Sequence, residues 1–498
     1  MTHALPPPIP TQKVHIVESN GDKRSDPYFW MRERDTKPVL DYLKEENAYY
    51  EDEFKPYQKL KKQIYDEIRG RTKEDEDSLP YRKGPYFYFS RFRKGDEYPV
   101  YYRAPAPDDR DAKVDLMNLP KAQVLFDTPA AAKGQKYYQV GRISISPDQK
   151  VMAYAVDTVG RRFYNIHFRD LETKKELPLI IEATTGSFAW ANDSQTFFFV
   201  KQNPETLRAE KVFRSTLTSN EAPTLVFEDK EEAFEVVINK SLNEQTIFID
   251  SSSTLSSETN ILAATHPLEA PKLFLKREKN HEYSVSDGSD RYYVVSNWKA
   301  KNFQIFEVMK TKKTTKANWK ILIPHRTNVY VEDISVFANH FIVKQRQNAL
   351  SELIVYKRGL KKGTPIQFKD EAYDVSIGTN AEYDTDTFRY DYESLAQPPS
   401  IYEMDFEKQK SKLLKVREIP NYDPSKYVTL RQFATARDGA KIPVTLLVKK
   451  GFKPKGKNPL YVYGYGSYGI SMDPNFDKTV ISLVDRGFVY AILHIRGG

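Results

Sequence analysis

The stretch "ISISPDQKVMAYAVD", residues 143–157, contains the pattern that decides the fold of this chain. Apolar and polar residues alternate up to a turn at Pro147–Asp148, and a second, apolar and aromatic strand follows. A period of two is typical of a β-strand, and a short polar turn between two such strands predicts a hairpin.

The same hairpin pattern recurs along most of the chain. Its turns carry an acidic or amide residue at Asp148, Asp193, Asn243, Asp290, Asn339 and Asp386. The steps between these residues are 45, 50, 47, 49 and 47 residues, which leaves room for about four strands each. An even repeat of this length predicts a β-propeller. An earlier hairpin at Gly84 adds one more unit, so we expect a mainly β protein with a seven-bladed propeller over residues 78–415.

The segment before the repeats, residues 1–77, has helical periodicity instead. Asp35 or Thr36 is suited to cap a helix that has Pro38 in its first turn, and Gly70 is a common type of helix end. The apolar positions of the two predicted helices are Val39, Leu40, Leu43, Tyr50, Phe54, Leu60, Ile64 and Ile68. We expect these positions to be core faces that pack against something larger.

Residues 416–498 have a third pattern. A hairpin is predicted around Asp438–Gly439, and two nearly continuous apolar strands follow at 458–466 and 487–495 with a short helix between them. Continuous apolar strands are typical of a sheet that is buried on both faces. This segment therefore looks like the beginning of an α/β domain, although it has only about 80 residues.

Composition excludes several classes of function. The net charge is +8, but the 76 Lys and Arg residues are interspersed with 68 Asp and Glu residues, so no basic stripe predicts nucleic-acid binding. No run of 18 apolar residues predicts a membrane span. There is no cysteine, no P-loop and no H-x-x-x-H pair, so we expect neither a cofactor nor a metal, and a cytosolic location fits. His494 lies in an apolar strand, and we interpret it as a core or supporting residue and not as a base.

The order of these three segments resembles the prolyl oligopeptidase family of serine peptidases, and within it the oligopeptidase B group. The stretches that carry the resemblance include "DPYFWMRE" at 26–33, "YDEIRGRTKEDEDSLPYRKGPYFYF" at 65–89, "YGYGSYGIS" at 463–471 and "DRGFVYAILHIRGG" at 485–498. The resemblance implies cleavage of short peptides after Lys or Arg by Ser-His-Asp acyl transfer. It also implies a propeller that excludes folded proteins and N-terminal helices that pack on an α/β-hydrolase domain.

The resemblance assigns roles to two tyrosines of the glycine loop. Tyr465 would donate its hydroxyl to the oxyanion of the tetrahedral intermediate, and Gly464 and Gly466 would allow a close backbone approach. Tyr468 would line the pocket for the substrate side chain. From the residues alone, these tyrosines could equally be packed at a strand end.

The sequence contains no G-x-S-x-G string, the expected signature of the nucleophile, and the triad of such enzymes follows the third core strand. We therefore expect the 498 residues to be inactive alone and to self-associate through the edge of an incomplete sheet. The alternative is a non-catalytic propeller that binds a protein partner. The reading frame after residue 498 would discriminate between the two.

Overall fold

The computed structural model describes residues 5–110, 112–218 and 221–497, and the chain divides into two compact units, Met1–Thr72 and Lys73–Gly498. The first unit contains a two-stranded antiparallel ribbon and two α-helices. Their bounds are β1 (Ile16–Ser19), β2 (Asp22–Ser25), α1 (Lys37–Phe54) and α2 (Gln58–Gly70), with 3-10 helices at Phe29–Arg32 and Lys55–Tyr57.

The sequence signals at the helix ends are confirmed, but the predicted core faces are not. Thr36 stands at the N-cap position of α1 but its side chain makes no capping hydrogen bond, a proline follows in the first turn, and α2 ends at Gly70. Val39 is buried, whereas five of the predicted core positions are 40–50% exposed: Leu40, Leu43, Tyr50, Phe54 and Leu60. The two helices and the ribbon of the described part of this unit leave these positions exposed to solvent.

The second unit contains six consecutive antiparallel sheets, and because one of them has seven strands and supplies two blades, they form the seven-bladed β-propeller that the repeat predicted. Blade one contains β3 (Tyr81–Lys83), β4 (Tyr86–Arg91), β5 (Val100–Pro105) and β6 (Gln123–Asp127), followed by α3 (Thr128–Ala132). Blades two and three share one long, bent strand and contain β7 (Gln139–Ile145), β8 (Val151–Asp157), β9 (Tyr164–Asp170), β10 (Glu176–Trp190), β11 (Thr196–Gln202), β12 (Ala209–Thr216) and β13 (Thr224–Glu228). The first part of β10 pairs with β9 and the second part with β11.

The remaining blades each have four strands of their own. Blade four contains β14 (Glu235–Lys240), β15 (Thr246–Ser252), β16 (Ser257–Ala263) and β17 (Lys272–Leu275). Blade five contains β18 (Tyr283–Asp287), β19 (Arg291–Ser296), β20 (Gln304–Met309) and β21 (Lys320–Ile323), with a 3-10 helix at Lys316–Asn318. Blade six contains β22 (Val329–Val336), β23 (His340–Gln347), β24 (Leu350–Lys357) and β25 (Thr364–Pro365), and blade seven contains β26 (Asp374–Ile377), β27 (Thr387–Glu393), β28 (Ser400–Asp405) and β29 (Lys410–Val416).

Neighbouring blades pack face to face through apolar clusters. Between blades three and four, for example, Phe198 and Ile238 are fully buried in one cluster. Blades seven and one also meet through polar contacts: the Arg389 guanidinium donates to the Pro80 carbonyl at 2.6 Å, and Gly84 N–H donates to Glu382 at 2.6 Å. Blades one and seven, which are far apart in the chain, therefore contact each other through hydrogen bonds that involve side chains.

The acidic turn residues form hydrogen bonds that stabilise the turn between the first two strands of a blade. The Asp193 carboxylate accepts hydrogen bonds from the backbone N–H groups of Gln195 at 3.0 Å and Thr196 at 2.8 Å, and from the Thr196 hydroxyl at 2.6 Å. Thr196 is almost fully buried, so its polar groups have little access to water. This explains why an acidic or amide residue marks the turns in the sequence.

Asp193→Ala is expected to lower the free energy of unfolding by about 1–2 kcal/mol, because it leaves a nearly buried hydroxyl and two backbone donors without their acceptor. Urea unfolding measures the loss. Gln195→Ala, at an exposed position of the same turn, is the matched control and should change stability by less than about 0.5 kcal/mol. Equal losses in the two variants would contradict the proposed role of the Asp193 carboxylate.

After a 3-10 helix at Pro424–Lys426, the chain forms a mixed four-stranded sheet that is separate from the blades. Its elements are β30 (Tyr427–Thr435), β31 (Lys441–Lys449), β32 (Leu460–Gly464), α4 (Ile481–Asp485) and β33 (Val489–Leu493). The order is β30-β31-β33-β32, and only β32 and β33 run parallel. The predicted hairpin at Asp438–Gly439 is confirmed, and Gly439 has a φ of 84°.

The prediction that both apolar strands are buried is correct for β33 and wrong for β32. Tyr490, Ala491 and Ile492 of β33 are buried, because β33 lies between β31 and β32. Every residue of β32 is exposed, since this strand is the edge of the sheet. None of the described helices is long and apolar enough to cross a lipid bilayer.

Candidate active site

The glycine loop lies where the two parallel strands end. The carboxyl ends of β32 and β33 share one edge of the sheet, so the loop after Gly464 meets the turn after Leu493. A Cβ on Gly466 would be 2.3 Å from the Arg496 carbonyl oxygen, and Gly469 N–H donates to the Gly497 carbonyl at 3.0 Å. Gly466 therefore permits a close backbone approach to the turn at Arg496, and the approach to a catalytic serine that the resemblance implies stays a prediction. A Cβ on Gly464 would meet nothing closer than 3.7 Å.

Tyr465 lines a cavity of about 280 Å³ between the propeller and this sheet. The propeller side contributes Asn302, Thr327, Asn328, Tyr330, Arg346 and Ala349. The sheet side contributes Tyr465, Ser471, Met472, His494 and Ile495. Tyr465 is 37% exposed, and none of the hydrogen bonds found among the described residues involves its hydroxyl. A phenol in this position has a donor available for a ligand in the cavity.

Tyr468 is placed differently. It is 83% exposed, and its φ of 57° lies in the left-handed region. It is not among the residues that line the cavity. Its role in the wall of a specificity pocket therefore stays a prediction from the resemblance.

His494 supports the wall of the cavity from the sheet. Its Nε2 lies 2.8 Å from the Thr445 hydroxyl in a hydrogen bond, and its backbone N–H donates to Pro443 at 3.0 Å. Burial, followed by the positive charges of Arg431 and Arg346, lowers the pKa of His494 to about 4. The imidazole is therefore neutral near pH 7, which fits a supporting residue better than a group that must take up a proton.

The His494 ring is expected to remain neutral down to about pH 5, as measured by NMR of the ring resonances. An unfolded chain takes up this proton near pH 6.5, so the unfolded state binds more protons between about pH 6.5 and 4. This residue's contribution to stability is therefore present above pH 6.5 and is lost as the pH falls through that window. Titration of the His494 ring near pH 6.5 would contradict the assignment.

Sequence reasoning did not find the ion pairs that fix the far wall of the cavity. Arg346, on β23 of blade six, forms a two-pronged contact with Asp473, with Nη2 and Oδ2 3.0 Å apart, and its Nε donates to Glu332 at 2.7 Å. Three residues after Asp473, Phe476 N–H donates to Glu393 of blade seven at 2.8 Å. The segment that follows the glycine loop is thus attached to two blades. Arg346 and Asp473 are 127 residues apart, so no local pattern could indicate their contact.

The electrostatics of this contact favour a charged guanidinium. Burial acts to lower the pKa of Arg346, but its ion pairs with Asp473 and Glu332 outweigh burial and raise it. Burial raises the pKa of Asp473 against the effect of Arg346, and the nearby carboxylates Asp374 and Glu332 add to that rise. The arginine therefore compensates a carboxylate that would otherwise be unfavourable in the cavity wall.

The propeller has seven blades and faces the carboxyl ends of two parallel strands, in a sheet that also contains an antiparallel hairpin. This arrangement defines the class of propeller-bearing α/β hydrolases. A family model described as "Prolyl oligopeptidase, N-terminal beta-propeller domain" matches residues 7–417. The chain belongs to the prolyl oligopeptidase family of serine peptidases, and the resemblance drawn from the sequence is confirmed.

Similar proteins support the same assignment. Dipeptidyl aminopeptidase BI of Pseudoxanthomonas mexicana is 38% identical over 503 residues, which cover 99% of this chain and 69% of that protein. Protease 2 of Moraxella lacunata is 30% identical, and the match covers 99% of this chain and 70% of that protein. The solved structure of oligopeptidase B from Leishmania major has a TM-score of 0.89 and 27% identity, with 99% of this chain and 72% of that chain covered.

Proposed function

We propose that this protein is a serine oligopeptidase of the oligopeptidase B type that cleaves short peptides after Lys or Arg. The observation that carries the proposal is the position of Tyr465, which lines the cavity between propeller and sheet and has a partly exposed side chain. We further propose three domains: helices over residues 1–77, the propeller over 78–415, and the N-terminal part of the hydrolase domain over 416–498. The lack of cysteine fits our proposal of a cytosolic location.

The role of Tyr465 follows from the chemistry of acyl transfer. When a serine attacks a peptide carbonyl, negative charge develops on the carbonyl oxygen, and a donor that is already aimed at this oxygen stabilises the transition state. A neutral tyrosine hydroxyl can donate to this oxygen without being charged itself. The attacking serine, its histidine and its aspartate are not identifiable within these 498 residues, so we propose that the segment is inactive alone.

The propeller would restrict which substrates reach this position. Its blades form one wall of the cavity, and Arg346 attaches that wall to the segment after the glycine loop. A folded protein is too large for a cavity of about 280 Å³, whereas an extended peptide can enter it. This supports an oligopeptidase that selects substrates by size.

One comparison favours a second candidate activity, removal of dipeptides from a free amino terminus. The relative with 38% identity is named a dipeptidyl aminopeptidase. The two activities differ in one chemical requirement, since a dipeptidyl aminopeptidase must bind the α-ammonium group of its substrate. An N-blocked substrate therefore separates them.

The test uses two proteins, the 498-residue chain and the product of the whole reading frame that encodes it. Both are assayed with N-blocked Arg and Lys aminocoumarin amides, with free-amine dipeptidyl aminocoumarins, and with a folded protein. We expect the product of the whole reading frame to cleave the N-blocked Arg and Lys amides, and the 498-residue chain to cleave none of the substrates. Cleavage of free-amine dipeptides alone would replace the proposal with the dipeptidyl activity. Absence of any peptidase activity in the whole product would leave the propeller as a binding module.

We also propose that the isolated chain self-associates through β32. Leu460, Tyr461, Val462 and Tyr463 are 40–57% exposed, and the described residues pair this strand on one side only. A flat, apolar, unpaired edge is a template for another strand. Size-exclusion chromatography should give a dimer or larger species, and Val462→Lys should shift it to the monomer. A clean monomer at high concentration would refute the proposal.

A further inference from the structure

A second cavity, of about 390 Å³, lies between blades one and two, and it shares no lining residue with the Tyr465 cavity. Its walls are largely aromatic and aliphatic, and they include Leu79, Phe89, Tyr102, Val140 and Ile143. The innermost strands of both blades reach it. Two cations, Lys83 and Arg142, also line it, and none of the described lining residues is a carboxylate.

The cationic end of this cavity faces the central channel of the propeller. Lys83 of blade one forms an ion pair at 3.1 Å with Glu244 of blade four. Blades one and four are not neighbours, so this pair must cross the channel, and the first strands of the blades therefore line it. Lys83 and Arg142 also line an adjoining cavity together with Lys240 and Glu244, so the charged side of this recess borders the channel.

The positive charge on this side of the recess is only partly balanced by the protein. Among the described residues Arg142 has no ion pair, and its one aromatic contact is with Phe188 at 5.5 Å. Its side chain is open to channel water, yet protein surrounds it closely enough for burial to lower its pKa. Lys83 and Lys240 share the single carboxylate of Glu244, at 3.1 and 3.8 Å. Asp193 adds a second negative charge near Lys240, but Arg142 has no carboxylate partner among the described residues, which leaves a place for an anion beside it.

The backbone also directs Arg142 specifically. The pairing of β7 with β8 shifts by one residue between Val140 and Arg142, so a β-bulge at Gly141 precedes the arginine. Bulges re-aim side chains and are frequent beside binding sites. An apolar recess of a few hundred Å³ with a small number of polar groups at one end is the usual form of a small-molecule site.

We propose that this recess binds a small carboxylate with an aromatic or aliphatic body, of the kind that the free C-terminal residue of a peptide presents. The carboxylate would lie between Arg142 and Lys83, where a guanidinium can donate two parallel hydrogen bonds. The apolar body would lie against Phe89, Tyr102 and Ile143. This site does not depend on the proposed peptidase activity, because none of its residues takes part in that activity.

Isothermal titration calorimetry of the 498-residue chain tests the proposal with three probes: N-acetyl-phenylalanine, its neutral carboxamide, and inorganic phosphate. N-acetyl-phenylalanine is expected to bind saturably, once per chain, with the carboxamide and phosphate each at least tenfold weaker. Arg142→Met, which keeps the length of the stem, should weaken N-acetyl-phenylalanine at least tenfold. Arg161→Met removes the same charge from an exposed loop of blade two and should change affinity less than twofold.

Each other outcome overturns a stated part of the proposal. No saturable binding up to 10 mM (roughly the weak limit for a ligand of this size) would remove the site. Equal effects of Arg142→Met and Arg161→Met would place the anion elsewhere. Phosphate that binds as well as N-acetyl-phenylalanine would overturn the role of the apolar wall. Lys83→Met is the second variant, and circular dichroism of each variant excludes loss of fold as the cause of lost binding.

Discussion

Replacement of Tyr465 by phenylalanine is expected to lower kcat of the peptidase by about 10²–10³-fold, which is the cost of removing one donor from an oxyanion hole. KM should change little, because the hydrogen bond strengthens only as charge develops on the carbonyl oxygen. The substitution removes one oxygen atom and keeps the ring in the cavity wall, so the shape of the cavity is preserved. The assay uses the product of the whole reading frame with an N-blocked Arg amide.

The control for this prediction is Tyr461→Phe, which removes the same atom from the same stretch of sequence. Tyr461 lies within β32 and stacks on Tyr490 with ring centroids 5.7 Å apart, and it does not line the cavity. Its loss should leave kcat within about twofold, a change of under 0.5 kcal/mol in the barrier. If Tyr465→Phe were as active as Tyr461→Phe, Tyr465 would be a packing residue and the proposed mechanism would lose its donor.

The second large effect is expected at Arg346. Arg346→Met should destabilise the second unit by about 3–5 kcal/mol, because it leaves the largely buried carboxylate of Asp473 without its partner. Methionine keeps most of the apolar stem, so the loss reports the charge and its hydrogen bonds and not a cavity. Urea unfolding followed by circular dichroism measures this loss of unfolding free energy. The slope of the free energy with urea concentration, the m-value, should stay unchanged.

A surface ion pair between blades six and seven provides the control for Arg346. Lys357 pairs with Glu407 at 2.7 Å, but the two side chains are 51% and 64% exposed. Lys357→Met should therefore cost less than about 1 kcal/mol. Comparable losses in both variants would mean that Asp473 is solvated when Arg346 is removed, and that the contact does not hold the cavity wall. Hydrogen exchange should also rise at Phe476, whose N–H is held by Glu393.

The propeller was predictable because its determinants are local and repeat. Each blade needs a strand, a tight turn and a second strand, and an Asp at the turn makes hydrogen bonds within three residues, as Asp193 does. Period-two alternation and the even spacing of such turns are therefore visible in the sequence. The bend of β10 across two blades was not visible, because two stretches of one strand pair with different neighbours.

Burial was less predictable than secondary structure. An apolar strand such as Leu460–Gly464 has the same composition at the edge of a sheet as in its centre, and only the order β30-β31-β33-β32 places it at the edge. The helical stripe of α1 gives a similar case, since Leu43 is 50% exposed despite its core-like spacing. Periodicity indicates which residues share a face, but it does not indicate what covers that face.

The sequence by itself determined the number of blades, the hairpin before the parallel strands, and the family, because local hydrogen bonding and short motifs such as "YGYGSYG" carry that information. The tertiary structure alone decided that Tyr465 opens into a cavity while Tyr468 does not, and that Arg346 is joined to Asp473. These features depend on contacts between blades and sheet that are far apart in the chain. The direction of a side chain and the pairing of distant charges are set by packing, for which no spacing in the sequence provides a signal.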